Sequence, residues 1–243
     1  MKNRRNIFTI AVLLSLVVNS VMGQEVQKVY FEGTQKVMSE GPVVNGMKNG
    51  VWKYYYENGE VNATGNFKDD QYDGEWKYFY PNGHKQTIEH WKDGMENGKF
   101  QRFYDSGKLK AEGIFKDGLY NGQWTYYYEN GNAIREGDCL NGLPHGVWYF
   151  WSEEGTVLEY GPYNQNVRDG LWTIHDDMGI LYEKITYKND MKNGPYEQYD
   201  DNGKIVMMSG DYKDDKYDGN WKFFNKKGKL KKEVKYKDGE EVK

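Results

Sequence analysis

The stretch Asn121-Gly122-Gln123-Trp124-Thr125-Tyr126-Tyr127-Tyr128-Glu129-Asn130-Gly131 decides the fold, because variants of it fill the chain from Gly50 onward. The glycine two residues before the aromatic returns at Gly50, Gly74, Gly98, Gly122, Gly146, Gly170, Gly194 and Gly219, in steps of 24 residues six times and 25 once. A second glycine keeps the same time at Gly59, Gly83, Gly107, Gly131, Gly155, Gly179, Gly203 and Gly228. A third column is aromatic: Phe67, Trp91, Phe115, Tyr163, Tyr187, Tyr212 and Tyr236, with Cys139 as the exception. Three columns in one register identify a repeat protein, a quasi-one-dimensional array of short units.

One unit, Gly50 to Asp73, can be read physically. Val51 to Tyr56 is β-branched and aromatic and reads as a strand. Glu57-Asn58-Gly59 signals a hairpin turn. From Glu60 to Phe67, apolar or small residues (Val61, Ala63, Gly65, Phe67) alternate with polar ones, the period of a strand with one covered face. Lys68 to Asp73 is polar and reads as a short loop leading to Gly74. The residue before the turn glycine is Asn at four copies but Ser106, Glu154, Met178 and Lys227 at the others. Glu and Met resist the positive φ that a type I′ turn demands, so the pattern favours a type I turn closed by a glycine bulge. Register stays open. A two-residue loop sets Trp52 opposite Gly65 and Tyr54 opposite Ala63, with large rings over small residues, whereas the bulged turn shifts the pairing by one. The copy from Gly194 carries an extra residue near Met207-Met208, which predicts a bulge there.

The expected fold is all-β: an elongated single-layer antiparallel meander of about eight stacked β-hairpins, spanning roughly 75 Å at the usual strand spacing. The array occupies 50–243, and 24–49 reads as a degenerate capping unit, since Val37 to Val43 and Asn45 to Gly50 echo its parts. In the last hairpin, Lys226, Lys227, Lys229, Lys231, Lys232, Lys235 and Lys237 guard a terminal strand against edge-to-edge pairing.

Ahead of the array, Lys2, Arg4 and Arg5 precede the apolar run Ile7 to Val18, and Val21-Met22-Gly23 follows. That is the layout of a secretory signal peptide over 1–23, cleaved after Gly23, so a periplasmic or secreted location is expected. Composition narrows the partners. With 29% charged residues and 37% hydrophobic ones the chain could be taken for disordered, but 16% aromatics placed at fixed phase oppose that. Without the three leader cations, 30 basic residues face 37 acidic ones, so neither nucleic acid nor an anionic membrane surface is expected as a partner. Cys139 lacks a second cysteine and sits in the aromatic column, so it reads as a small buried hydrophobe.

The recurring Asn-Gly-x-Trp-x-x-Tyr-Tyr-x-x-Gly, followed by Gly-x-Phe/Tyr-Lys-Asp-Gly, resembles the MORN repeat over about residues 41–243. The closest likeness is the bacterial variant found in exported proteins and in proteins catalogued as antitoxin components. The resemblance implies a row of β-hairpins forming a grooved sheet, with scaffolding and protein–protein contact as its usual roles. In some eukaryotic relatives lipid binding is proposed. An antitoxin role sits poorly with an export signal, because a cytoplasmic toxin has to be met inside the cell.

Nothing in the sequence marks a reaction centre, and catalytic residues, cofactors and metals are all expected to be absent. His84, His90, His145 and His175 fall at four different phases of the repeat. The stretches Lys68 to Gly74 and Lys213 to Gly219 faintly resemble calcium loops but lack the closing glutamate. The candidate working surface is an aromatic row on the face opposite Trp52 and its equivalents: Tyr55, Phe79, Phe103, Tyr127, Trp151, His175, Tyr199 and Phe224. Such a row offers a periodic platform for a protein partner, with a glycan as the alternative. The expectation is therefore a non-enzymatic, exported scaffold that contacts another protein in the cell envelope.

Overall fold

A computed structural model describes residues 25–242. The signal-peptide reading of 1–23 lies outside the described residues. Among these residues, all regular secondary structure is β-strand, paired antiparallel between successive strands. The chain forms two units, one running to Gly98 and taking in Asp105–Gly107, the other comprising Lys99–Tyr104 and Lys108 onward. Each is a meander built on the same hairpin.

In the first unit, the leading strand Gly50–Tyr55 pairs with the returning strand Val61–Lys68. The turn between them is the bulged type I form. Gly59 N–H donates to Tyr56 O, Tyr56 N–H donates to Glu60 O, and φ is positive only at Gly59 (91°). The Asn58 side chain accepts the Glu60 N–H, which accounts for asparagine at that place. Both registers that the sequence left open are used, in succession. Tyr55 pairs with Val61, then Asn62 is passed over, and Tyr54 meets Ala63 and Trp52 meets Gly65. A second bulge thus cancels the first, and the same shift recurs beside Phe79, Tyr127, Trp151, His175 and Tyr199.

The segment expected to be a linking loop is instead a second hairpin turn. Lys68 pairs with Gln71, and only Asp69 and Asp70 lie between them, with φ of 48° and 63°. Positive φ at both positions is the type I′ geometry, which short polar side chains tolerate. Polar composition marks these residues as solvent-facing but does not prevent ladder pairing, so the next strand begins at Gln71 rather than Gly74. Successive turns of this kind brace one another. Asp70 N–H donates to Lys48 O while Asp70 Oδ1 accepts the Lys48 N–H at 2.7 Å. Arg168 with Asp190, and Lys192 with Asp215, repeat the exchange. The aspartates weighed as calcium ligands therefore serve as rungs between turns.

Beyond each type I′ turn, the leading strand carries two extra residues. Asn66 pairs with Asp73 but Gly65 with Trp76, and Gly74 takes φ of 67° in between. This kink explains the first glycine column and swings the tryptophan over the preceding strand. An ideal Cβ on Gly65 would lie 2.1 Å from the Trp76 ring, and Gly41, Gly113, Gly137, Gly161 and Gly210 carry Trp52, Trp124, Trp148, Trp172 and Trp221 in the same way. Each of these indoles donates to the carbonyl that follows its glycine, as Trp76 Nε1 does to Asn66 O at 2.9 Å. The ring therefore covers the glycine of the strand before it rather than that of its own hairpin. A fully buried tryptophan contributes roughly 4–6 kcal/mol of gross burial. Trp52 and Trp76 form the core of the first unit with Val43 and Phe67. Trp124 and Trp148, then Trp172 and Trp221, anchor two clusters in the second.

Two copies differ from the rest in detail. Glu25–Tyr30 and Val37–Val44 pair as a hairpin of the same kind, with Gln27 opposite Gly41 where later copies place an aromatic. The extra residue of the copy from Gly194 is taken up in its turn, where Asp200 N–H reaches Ile205 O instead of the residue before it. The bulge at Met207 is the one shared with the hairpins named above.

Candidate binding face

The tryptophan face is consumed by packing. Its remaining rim is roofed by cations: Lys48 Nζ lies 4.4 Å from the Trp52 ring, and the Arg168 guanidinium lies 4.1 Å from Trp172 while pairing with Glu159 at 3.2 Å. The expected aromatic row lies on the opposite face.

All eight residues of the expected row are half-buried. Tyrosines in the row are tied to carboxylates beside them: Tyr55 donates to Glu40 at 2.7 Å, Tyr127 to Glu112 at 2.8 Å and Tyr199 to Glu197 at 2.5 Å. Burial, then the bond to Glu40, pushes the Tyr55 hydroxyl up to about 12. In return, that bond and then Lys28 hold the Glu40 carboxyl below its usual range. Burial also raises Tyr127 and Tyr199. A further anchor was not visible in the sequence. Tyr56, Tyr104 and Tyr128 each donate to the carbonyl of a row residue in the next copy, Phe79, Tyr127 and Trp151 respectively.

Within each unit, row members stand one per hairpin, about 10 Å apart at two strand spacings. In the second unit, other rings bridge that gap. Trp151 stacks on Tyr149 (5.7 Å, 22°), Tyr149 on Tyr160 (5.3 Å, 21°), and Tyr160 on His175 (6.0 Å, 24°). Tyr149 and Tyr160 were missed by reading down the columns. Their signal is a break in the repeat: the places equivalent to Tyr149 hold Lys53, Lys77, Gln101 and Thr125 in the earlier copies. His175 Nδ1 is buried in this stack with no hydrogen-bond partner.

His84 Nδ1 lies 2.7 Å from Asp105 O at a turn, and burial raises the Cys139 thiol to about 11. Among the described residues, no three His, Cys, Asp or Glu side chains gather as a metal site.

The repeat unit set out above, one hairpin between two type I′ turns, is the unit of a known family. The profile described as MORN repeat variant matches seven segments: 48–69, 72–93, 96–117, 120–137, 144–165, 192–214 and 217–238. The chain belongs to the MORN repeat family. MORN repeats generally form a scaffold that meets proteins or membranes. The copy around Trp172 falls between matched segments, yet Gly170–His175 and Leu181–Lys188 form the same MORN hairpin. No curated protein matches the chain.

Among solved structures, the chain is similar to the complex TcdB2-TccC3-Cdc42, at 11% identity and a TM-score of 0.21, over 89% of this chain and 14% of that one. Comparable values hold for TcdB2-TccC3 (10%, TM-score 0.22, 87% and 14%) and the Photorhabdus luminescens Tc holotoxin pore (11%, TM-score 0.20, 88% and 13%). The chain thus spans about a seventh of these molecules, and at such TM-scores the likeness bears on neither shape nor function.

Proposed function

We propose that this chain is an exported, non-enzymatic MORN scaffold whose face opposite the tryptophans holds a protein partner in the cell envelope. The observation that carries the reading is the division of labour between the two faces. Tryptophan, glycine and roofing cations build one face into a closed core, while the other keeps a row of rings that are only half-buried. Large aromatics with part of their surface left in water are typical anchors of protein interfaces. The leader-like stretch Lys2 to Gly23 and the acidic balance of the remainder support export and argue against an anionic surface as the main target.

Ring stacking favours a protein over a glycan. Sugars dock on open ring faces, and between Trp151 and His175 neighbouring rings cover one another. The test is affinity capture from an envelope extract on the immobilised chain. The expected result is a discrete protein retained through a high-salt wash; retention of nothing, or of sugar polymer alone, would overturn the proposal.

A further inference from the structure

Across the row face of the second unit, one line of directly opposed residues runs Glu136–Tyr149–Tyr160–Thr173–Lys184 over five neighbouring strands. At equivalent places elsewhere this line is largely polar, with Glu112, Thr125, Glu197, Ser209 and Lys222 among its members. Here alone two aromatics stand side by side. Val147 (47% exposed) and Leu171 (52%) extend the same uncharged area, and Tyr149 itself is 39% exposed. An acid closes the patch at one end and a lysine at the other. Among the described residues, neither Glu136 nor Lys184 takes part in an ion pair.

We propose that this patch docks an extended apolar segment of a protein partner, lying across the strands with a basic residue over Glu136 and an acidic one over Lys184. The proposal rests on the interaction reading above and names its site and the partner's chemistry. Charge complementarity sets the direction of the segment, and geometry sets its length. Four strand steps of about 4.8 Å separate the two charges by roughly 19 Å, the reach of about six extended residues. The ring stack supplies a rigid floor, and Val147 and Leu171 flank it as aliphatic contacts. Charges at the rim select orientation and partner more than they add affinity.

The test is a phage-displayed library of random 12-residue peptides panned on the purified full-length chain. The expected result is enrichment of peptides in which a basic and an acidic residue bracket about six mainly apolar ones. Leu171→Asp should weaken their binding at least tenfold. The pair Glu136→Lys with Lys184→Glu, at half-buried charges outside the tryptophan core, should select the reverse order of charges. Absence of such peptides, or binding indifferent to both changes, overturns the proposal. Envelope capture separates the two levels. If Leu171→Asp retains the same protein as the native chain, the patch is wrong and the scaffold reading stands. If the native chain retains nothing, the scaffold reading itself falls.

Discussion

Trp172 lies on Gly161 so closely that an ideal Cβ added to the glycine would fall 2.4 Å from the indole ring. The two are cross-strand neighbours on the closed face, and the ring occupies the volume that a side chain would need. Gly161→Ala should therefore cost about 1–3 kcal/mol by overpacking, read as a lowered midpoint in urea unfolding. The chain contains its own control: Ile185 stands where the glycine should be, and its partner is Tyr196 rather than Trp. Trp172→Tyr introduced with Gly161→Ala should recover part of the loss, so the two changes will be less than additive.

His175 fills a row position that holds a larger aromatic in the other copies, and its buried Nδ1 has no partner. His175→Phe keeps the stack on Tyr160 and removes the unsatisfied nitrogen. A gain of about 1 kcal/mol is expected in the same unfolding measurement. A loss of stability would show that the nitrogen serves a contact in solution.

The type I′ turns act as braces. Asp215 holds φ of 65° and accepts the Lys192 N–H at 2.8 Å. Asp215→Ala removes the acceptor and places a residue intolerant of that backbone, at an expected cost of about 1–2 kcal/mol. Asp215→Asn should retain most of the stability, because its side-chain oxygen still accepts. Equal losses from the two changes would remove the brace.

Tyr55 and Glu40 predict a pH profile. Glu40 titrates lower in the fold than in the unfolded chain, so its contribution is complete above the ordinary value of 4.5 and fades as pH falls through the depressed one. Tyr55 is shifted up from 10 to about 12, so its contribution is complete below pH 10 and fades as pH climbs towards 12. Tyr55→Phe should flatten both limbs of stability against pH. Unaltered limbs would contradict the bond.

Cys139 is buried, with its thiol raised to about 11. Iodoacetamide at neutral pH should leave it unlabelled in the folded chain and modify it once the chain is unfolded in urea. Rapid native labelling would place the thiol at the surface.

The fold was legible because its signals are columnar. Gly59 marks a positive φ, Trp52 and Gly65 sit in phase, and glutamate or methionine before the turn glycine excludes a primed turn there. Three features were hidden, each for a physical reason. Pairing of Lys68 with Gln71 depends on backbone hydrogen bonds, which polar side chains do not report. The lean of Trp76 onto Gly65 depends on a two-residue kink at Gly74 that cross-strand pattern alone does not reveal. The stack of Tyr149 and Tyr160 depends on neighbours in adjacent strands, residues that appear in the sequence only as interruptions of its repeat.

The central claim is that the face opposite the tryptophans is the working surface and the tryptophan face is structural. It is tested most directly by placing a photo-crosslinking residue in cells at Leu171, on the row face, and separately at Arg135, exposed over Tyr126 and Trp148 on the other. The account predicts a discrete protein adduct from position 171 and none from 135. Adducts from 135 alone, or equally from both positions, would contradict it.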